Sequence, residues 1–476
     1  MTTTNTTGLP SKAIEHFPVV IIGAGIGGLT LGALLHDLDI AFVVLERAPV
    51  VTPQGAGISL APNCLRVLDQ LGLYQAIQAH SQELLGIRVY REQNCWGTIN
   101  FGLAKRWFGY NVHSIERHEF HRYLYEAAGG AESVRLRWNV VNIVDKADRQ
   151  TPVRVESDDG RVITADLVVG ADGIRSATRR ILASANGLKA QNTIRFTGRV
   201  HMSGYTKSLE HLTTQDLGIG HWMLYNDSSL TTWPCQENRQ WFIGVKLANL
   251  APGEVPDRSV WKTATPDTVN GEYGAKFHPF GQDKTVKSIV DQAERVIASN
   301  VFEEVDFPHM AKGRIALLGD GEFTTASSFS MLSDEIPSGA FYDLLLRPSI
   351  SPPPNPLISS CMILRIIQGA CQAIEDATVL ADSIVDFLEG TPNALESYAR
   401  ARESRAQEVA SFSARYAQIH TAKLPLGMGK LVRSIIYQWM PSSAWMWYLQ
   451  WLYGHQPVSK KLEARRRAEV GGKKND

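Results

Sequence analysis

The sequence predicts an α/β protein: a nucleotide-binding domain with an inserted β-sheet domain and a C-terminal helical segment. Three observations carry that prediction. A strand–glycine loop–helix–strand unit opens the chain. A strand-rich block follows over residues 190–250. Strand and helix patterning then resumes after residue 300. The 476 residues are enough for two or three domains around a large core. Apolar residues make up 44% and charged ones 20%, the balance of a globular protein.

The opening unit is the most specific. Residues 18–22, PVVII, read as a buried strand, and GAGIGG follows at once. Gly23, Gly25 and Gly28 satisfy GxGxxG, and LTLGALLHDL then reads as a helix. A second strand, AFVVLER, carries Glu46 near its end. Each part has a physical task. Gly23 permits the tight turn, Gly25 lets backbone amides approach a pyrophosphate, and Gly28 lets the helix pack close to the strand. The helix N-terminus supplies partial positive charge, and Glu46 accepts hydrogen bonds from a ribose. With all parts in register this is a Rossmann-type dinucleotide site. An acid at position 46 favours FAD or NAD over NADP.

Farther on, QGAGISLAPNCLRVLDQLGLYQAI reads as a glycine loop and a helix with apolar Leu65, Leu68 and Leu71. IERHEFHRYLYEAA is helical, with Arg117 in its first turn. VRVESDDGRVITADLVVGADGIRS is a hairpin whose second strand ends in GADG. The strand-rich block (IRFTGRVHMSGY, GIGHWMLYND, SLTTWP, RQWFIGVKL) lies between two α/β pieces, as a sheet inserted into a nucleotide-binding domain would. RIALLGD is a further strand ending in Asp320, and QGACQAIEDATVLADSIVDFLE is a helix with 3–4 apolar spacing. The expected parts are a polar tail (1–17), a nucleotide-binding first part (18–185), the substrate sheet (186–300), a nucleotide-binding second part (301–420) with an atypical insertion (321–367), and an aromatic–basic segment (421–476).

Composition excludes other classes. Lys+Arg and Asp+Glu both total 48, and zero formal charge argues against a nucleic-acid partner. Five cysteines show no CxxC and no metal-ligand spacing, so no metal is expected and the thiols read as reduced and intracellular. The polar start has no apolar signal core and no apolar run reaches membrane-spanning length, so a cytoplasmic location is expected. In 431–468, four tryptophans and three tyrosines precede KKLEARRR. That segment reads either as a helical cap on the nucleotide-binding domain or as a weak membrane-surface contact.

Three motifs in order, GAGIGG with Glu46, GADGIRS at 170–176 and LLGD at 317–320 before QGACQAIEDA, resemble the flavoprotein aromatic hydroxylases. These are single-component FAD monooxygenases similar to salicylate and para-hydroxybenzoate hydroxylase. The likeness spans most of residues 15–420 and is nearest to fungal natural-product tailoring enzymes. It implies FAD as cofactor, with Gly23, Gly25, Gly28 and Glu46 in the ADP part of the site. It implies Gly57 near the flavin, Arg117 near the pyrophosphate and ribityl chain, Asp172 and Arg175 in a motif linked to FAD and NAD(P)H, and Asp320 on the ribityl or phosphate region. NADPH or NADH is the implied co-substrate. With O2, a flavin C4a-hydroperoxide then hydroxylates a small aromatic or polyketide-type substrate, expected in secondary metabolism. Epoxidation and oxidative decarboxylation use the same scaffold. Some relatives pair an arginine and a tyrosine on neighbouring sheet strands: Tyr225 falls where that tyrosine would, whereas the arginine position reads Met202-Ser203-Gly204, and Arg199 or His201, on one face of the same strand, are the candidate substitutes. Trp222, Met223, Tyr225, Trp233 and Trp241 are candidates for an apolar substrate wall.

One stretch departs from the family. Relatives read roughly GDAxHxxxPxxGQGxxxxxED, whereas here Gly321-Glu322-Phe323 follows the aspartate and 47 residues (368 − 320 − 1) separate Asp320 from Gln368. Misplaced splice sites would produce the same break. Two readings stay open: a working monooxygenase, or a catalytically impaired homologue that at most binds its ligands.

Overall fold

The computed structural model describes residues 14–51, 56–146, 148, 150–187, 189, 193–225, 228–248, 264–305, 310–319, 362–421, 431–432 and 435–472. Its centre is a parallel sheet with the strand order Ile315–Leu317, Val162–Gly170, Glu15–Ile22, Phe42–Leu45, Val134–Arg135. The apolar runs in these strands are continuous because both faces are covered. Val19, Ile21, Val44, Leu167 and Ala316 pack toward the helices Ile26–Asp37 and Met362–Leu388. Val20, Ile22, Val43, Val168 and Leu317 face the other way, into a cluster with Trp138, Ile143, Val153 and Leu182. That second cover comes from the antiparallel strands Val140–Val144 and Val153–Ser157 and the helix Ala177–Ala185.

A second sheet has seven strands among the described residues, in the order Ala293–Val305, Thr193–Thr206, Gln240–Leu247, Ser228–Pro234, Ile219–Leu224, Gly86–Arg91, Asn94–Asn100. All neighbours are antiparallel except 219–224 with 86–91. Two of its strands, 86–91 and 94–100, thus come from the first part of the chain. A three-stranded sheet (Gly57–Leu60, Val112–Glu116, Gln82–Leu84) lies in the same core cluster as the inner face of the seven-stranded one.

The helix expected from Gln368 begins earlier, at Met362, and runs unbroken to Leu388. Ile367 stands where relatives carry a turn glycine, so no glycine precedes Gly369 in this helix. Asp320 and residues 321–361 lie outside the described residues.

The C-terminal segment forms a cap. In the helix Ser442–Tyr453, Trp445, Met446, Leu449, Leu452 and Tyr453 are buried, with Tyr453 against Phe101 and Phe108. In the helix Lys460–Gly472, Lys461 pairs with Asp386 and Glu389, Arg465 with Asp39 and Arg466 with Asp37. Ser459 and Lys460 bind Asp382 of helix 362–388. The basic run is therefore spent largely on acids of the same chain. Among the described residues no helix is long and apolar enough to cross a membrane.

Candidate active site

The glycine loop takes the shape its residues demand. Gly23 has φ +107°, and a side chain there would collide with the Ala171 carbonyl. A Cβ on Gly28 would run into the Gly23 carbonyl, so helix and loop touch backbone to backbone. Gly25 is the N-cap of helix 26–37, and no side chain caps it. The amide end of that helix is left for an anion.

Glu46 braces this loop. Its Oε2 accepts from the Ala24 amide at 2.9 Å and its Oε1 from the Ala48 amide at 2.8 Å. The carboxylate is half-buried and retains lone pairs beyond these two bonds. On the other side of Ala24, His121 Nε2 donates to its carbonyl at 2.7 Å. His121 was not expected from the sequence; its position one turn after Arg117 was the available signal. Burial lowers its proton affinity, consistent with a neutral ring that donates one hydrogen bond.

Arg117 opens the helix Arg117–Ala127, and its amide donates to the Ala56 carbonyl at 3.2 Å. Gly57 pairs with Glu116 on the neighbouring strand, so Arg117 and the Gly57 loop lie side by side. A Cβ at Gly57 would enter the indole of Trp241. That indole donates from Nε1 to Ser114 Oγ at 2.8 Å and stacks on Trp233, with centroids 5.3 Å apart and planes 10° from parallel. Ser114 was also missed by sequence reading.

Asp172 has a structural task first. Its Oδ2 accepts from the Ala177 and Thr178 amides (2.7 and 3.1 Å) and from Thr178 Oγ1 (3.2 Å), capping helix 177–185. Its Oδ1 is buried with no hydrogen-bond partner among the described residues, so one oxygen remains for a ligand. Arg175 lays its guanidinium over Phe302 of the seven-stranded sheet, 4.9 Å from the ring centre. Asp320 lies outside the described residues; the strand Ile315–Leu317 before it runs parallel to 162–170, and Gly319, two residues beyond that strand, has φ +68°. That strand delivers its end to the carboxyl edge of the sheet, where ligands bind in open α/β folds.

Strand register divides the seven-stranded sheet into two faces. Trp222, Trp233 and Trp241 belong to the core shared with the glycine loops, with Tyr205 and Ile243 packed against it. Ser203 pairs with Ile243 and Arg199 with Leu247, so Arg199, His201 and Ser203 share this near face. His201 Nδ1 meets Ser299 Oγ at 2.9 Å. Arg199 is buried, and burial lowers its proton affinity without removing its charge.

Tyr225 and Met223 fall on the opposite face, in a cluster with Met202, Phe242 and Tyr273. The Tyr225 hydroxyl donates to the Phe277 carbonyl at 3.0 Å, and burial pushes its acidity far down. Strand alternation thus sets Tyr225 on the face opposite the register position of Arg199, although Tyr273, whose ring lies 6.3 Å from that of Tyr225, is within electrostatic reach of the Arg199 guanidinium. Tyr225 shares parity with His221 and Met223, while Trp222 and Leu224 take the inner side.

A buried charge cluster, also unforeseen, joins the helices behind the site. Glu375 and Asp376 are fully buried. Arg402 reaches both, Arg405 reaches Glu375 at 3.3 Å, and Asn63 donates to Glu375 at 2.6 Å. The signal was present in IED and in RESR, whose two arginines are three apart on one helix face. Among the described residues no group of three or more His, Cys, Asp or Glu side chains is placed to hold a metal ion.

Comparison with known proteins agrees with this geometry. A family model described as "FAD binding domain" matches residues 16–320. The chain is 44% identical over 467 residues to the FAD-dependent monooxygenase pynG of Aspergillus niger, covering 94% of this chain and 99% of that protein. It is 66% identical over 281 residues to the FAD-dependent monooxygenase pytG of Aspergillus terreus, covering 59% and 84%. Among solved structures, a salicylate hydroxylase substrate complex matches with TM-score 0.65 at 19% identity, over 96% of this chain and 98% of that one. Klebsiella pneumoniae HpxO with FAD and uric acid matches with TM-score 0.64 at 20% identity, over 88% and 92%. These structural likenesses concern the fold. The glycines that a Cβ would clash with, the uncapped helix and the open Asp172 oxygen all fit an FAD. The expected α/β FAD-binding fold and FAD cofactor stand, and the chain belongs to the FAD-dependent monooxygenases of flavoprotein aromatic hydroxylase type.

Proposed function

We propose that this monooxygenase uses NAD(P)H and O2 to hydroxylate a small aromatic, polyketide-type molecule in secondary-metabolite biosynthesis. The observation that carries the reading is the tryptophan-lined near face lying directly on the Gly57 loop. Bound FAD supplies the redox chemistry, accepting hydride and activating oxygen. Gly23, Gly25 and Gly28 hold its pyrophosphate end, Glu46 its ribose, and Arg117, Asp172, Arg175 and Asp320 the stretch toward the flavin. Trp222, Trp233 and Trp241 exclude water and hold a flat ring. Arg199, a buried cation on that face, favours the phenolate form of the substrate. Tyr225 serves packing.

The visible spectrum of the purified, FAD-reconstituted protein tests the reading, followed by NAD(P)H consumption with candidate phenols. Near-stoichiometric flavin bands with substrate-stimulated NAD(P)H oxidation are expected. Protein that stays colourless after reconstitution would support the competing reading, an impaired homologue, which the helix running unbroken through Gly369 favours. A second reading concerns 431–447, where Leu431, Ile435, Trp439 and Trp447 are exposed, the last two at 77% and 70%. These side chains suit a membrane-surface contact. Co-sedimentation with anionic vesicles tests it; protein left wholly in the supernatant sinks it.

A further inference from the structure

Cys64 and Cys371 sit with their sulfurs 3.3 Å apart, both fully buried, although they stand 307 positions apart in the chain. Cys64 lies in the first turn of helix Pro62–Gln70, and its thiol donates to the Ala61 carbonyl at 3.2 Å. Cys371 lies in helix 362–388, two residues after Gly369, and reaches the Ser59 carbonyl at 3.8 Å. The pair therefore joins the strand that starts at Gly57 to the helix of the QGAC motif. Thiols in that contact need move only a little over an ångström to reach bonding distance, since S–S is about 2.05 Å. The sequence offered no CxxC or other spacing signal; the fold alone brings these two cysteines together.

We propose that Cys64 and Cys371 form a reversible dithiol–disulfide pair that, when oxidised, clamps the Gly57 strand and its following helix to helix 362–388. The oxidant is a small neutral peroxide. One thiol attacks hydrogen peroxide, the O–O bond breaks, water leaves, and a sulfenic acid forms. The second thiol displaces hydroxide from that sulfur, which leaves as water after taking up a proton. In sum, two thiols and one peroxide give one disulfide and two waters. Both sulfurs are oxidised by one electron each and the peroxide is reduced by two. Burial holds the Cys64 thiol protonated, which slows the reaction and keeps bulky disulfides such as oxidised glutathione out. Cys95, which is exposed, answers to both kinds of oxidant. The bridge closes a very long loop, so it restricts the unfolded chain strongly.

The test uses the full-length protein, reduced and then treated with hydrogen peroxide. It is next unfolded in excess alkylating agent and mapped by mass spectrometry before and after dithiothreitol. The expected result is a cross-linked peptide pair containing Cys64 and Cys371, reversed by dithiothreitol, with a higher thermal midpoint of the oxidised form. The Cys95→Ser variant should give the same cross-link. Full alkylation of Cys64 and Cys371 after peroxide treatment that has oxidised Cys95 would overturn the proposal. So would sulfinic acid at either residue without the cross-link. Because the wild-type chain carries the decisive measurement, a poorly folding Cys64→Ser variant would not blunt the test.

Discussion

Replacing Arg402 by methionine should strip the buried cluster of its central cation. Arg402 is 2% exposed, and its guanidinium bonds Asp376 Oδ1 while its NH1 lies 3.5 Å from Glu375 Oε2. Glu375 would keep Arg405, Asn63 and Gln372. Asp376 would keep no cationic partner among the described residues. Removing one member of a buried pair costs about 3–5 kcal/mol, because the other charge stays out of water. At about 2 °C per kcal/mol this lowers the thermal midpoint by roughly 6–10 °C. The loss should also depend on pH. Burial already pushes the Asp376 carboxyl up to about 6, against the pull of Arg402. The folded chain thus binds more protons than the unfolded chain between about pH 4 and about pH 6. That contribution to stability is complete below about pH 4 and is lost as pH rises through 6. Without Arg402 the carboxyl rises further, so the deficit of the variant widens toward pH 8 and narrows toward pH 5. Thermal scans of wild type and Arg402→Met, followed by tryptophan emission at both pH values, measure this. A midpoint equal to wild type at pH 8, or a larger deficit at pH 5, would refute the reasoning.

Other outcomes follow from the same geometry. Gly28→Ala forces a Cβ onto the Gly23 carbonyl, so flavin occupancy after purification should fall sharply, with overpacking costing about 1–3 kcal/mol of stability. Tyr225→Phe should cost about 1 kcal/mol through its lost bond to Phe277 and leave kcat nearly unchanged. Arg199→Met, on the near face, should instead reduce kcat/KM about tenfold or more; steady-state kinetics of the two variants reversed in rank would overturn the face assignment. Trp241→Ala opens a cavity above Gly57 and strands Ser114, costing about 3–5 kcal/mol in unfolding experiments and speeding loss of flavin.

Local chemistry made the nucleotide-binding half legible without a structure. Gly23 and Gly28 are read from spacing because only glycine tolerates the turn and the backbone contact found there. Glu46 is read as a ribose partner because it follows a strand beside that turn; its bonds to the Ala24 and Ala48 amides, which brace the loop, were not read. Helix 117–127 and the strand ending at Gly170 follow from apolar periodicity, which needs only neighbours in the chain. The same local logic explains what went astray. The helix expected at Gln368 starts at Met362 because the preceding residues, MILRII, contain no glycine or proline to break it.

The chain by itself determined the fold class, the glycine turn that joins first strand to first helix and the existence of the inserted sheet, since these rest on residue type and short-range spacing. Only the tertiary structure decided which side of that sheet each residue takes. A side-chain period of two makes one position the difference between Trp222 on the glycine loops and Tyr225 against Phe277. It also decided which distant residues meet: Glu375 with Arg402 and Arg405, Gly57 with Trp241, and Cys64 with Cys371, 307 positions apart. Such contacts are set by how helices and sheets dock, and no spacing along the chain encodes them.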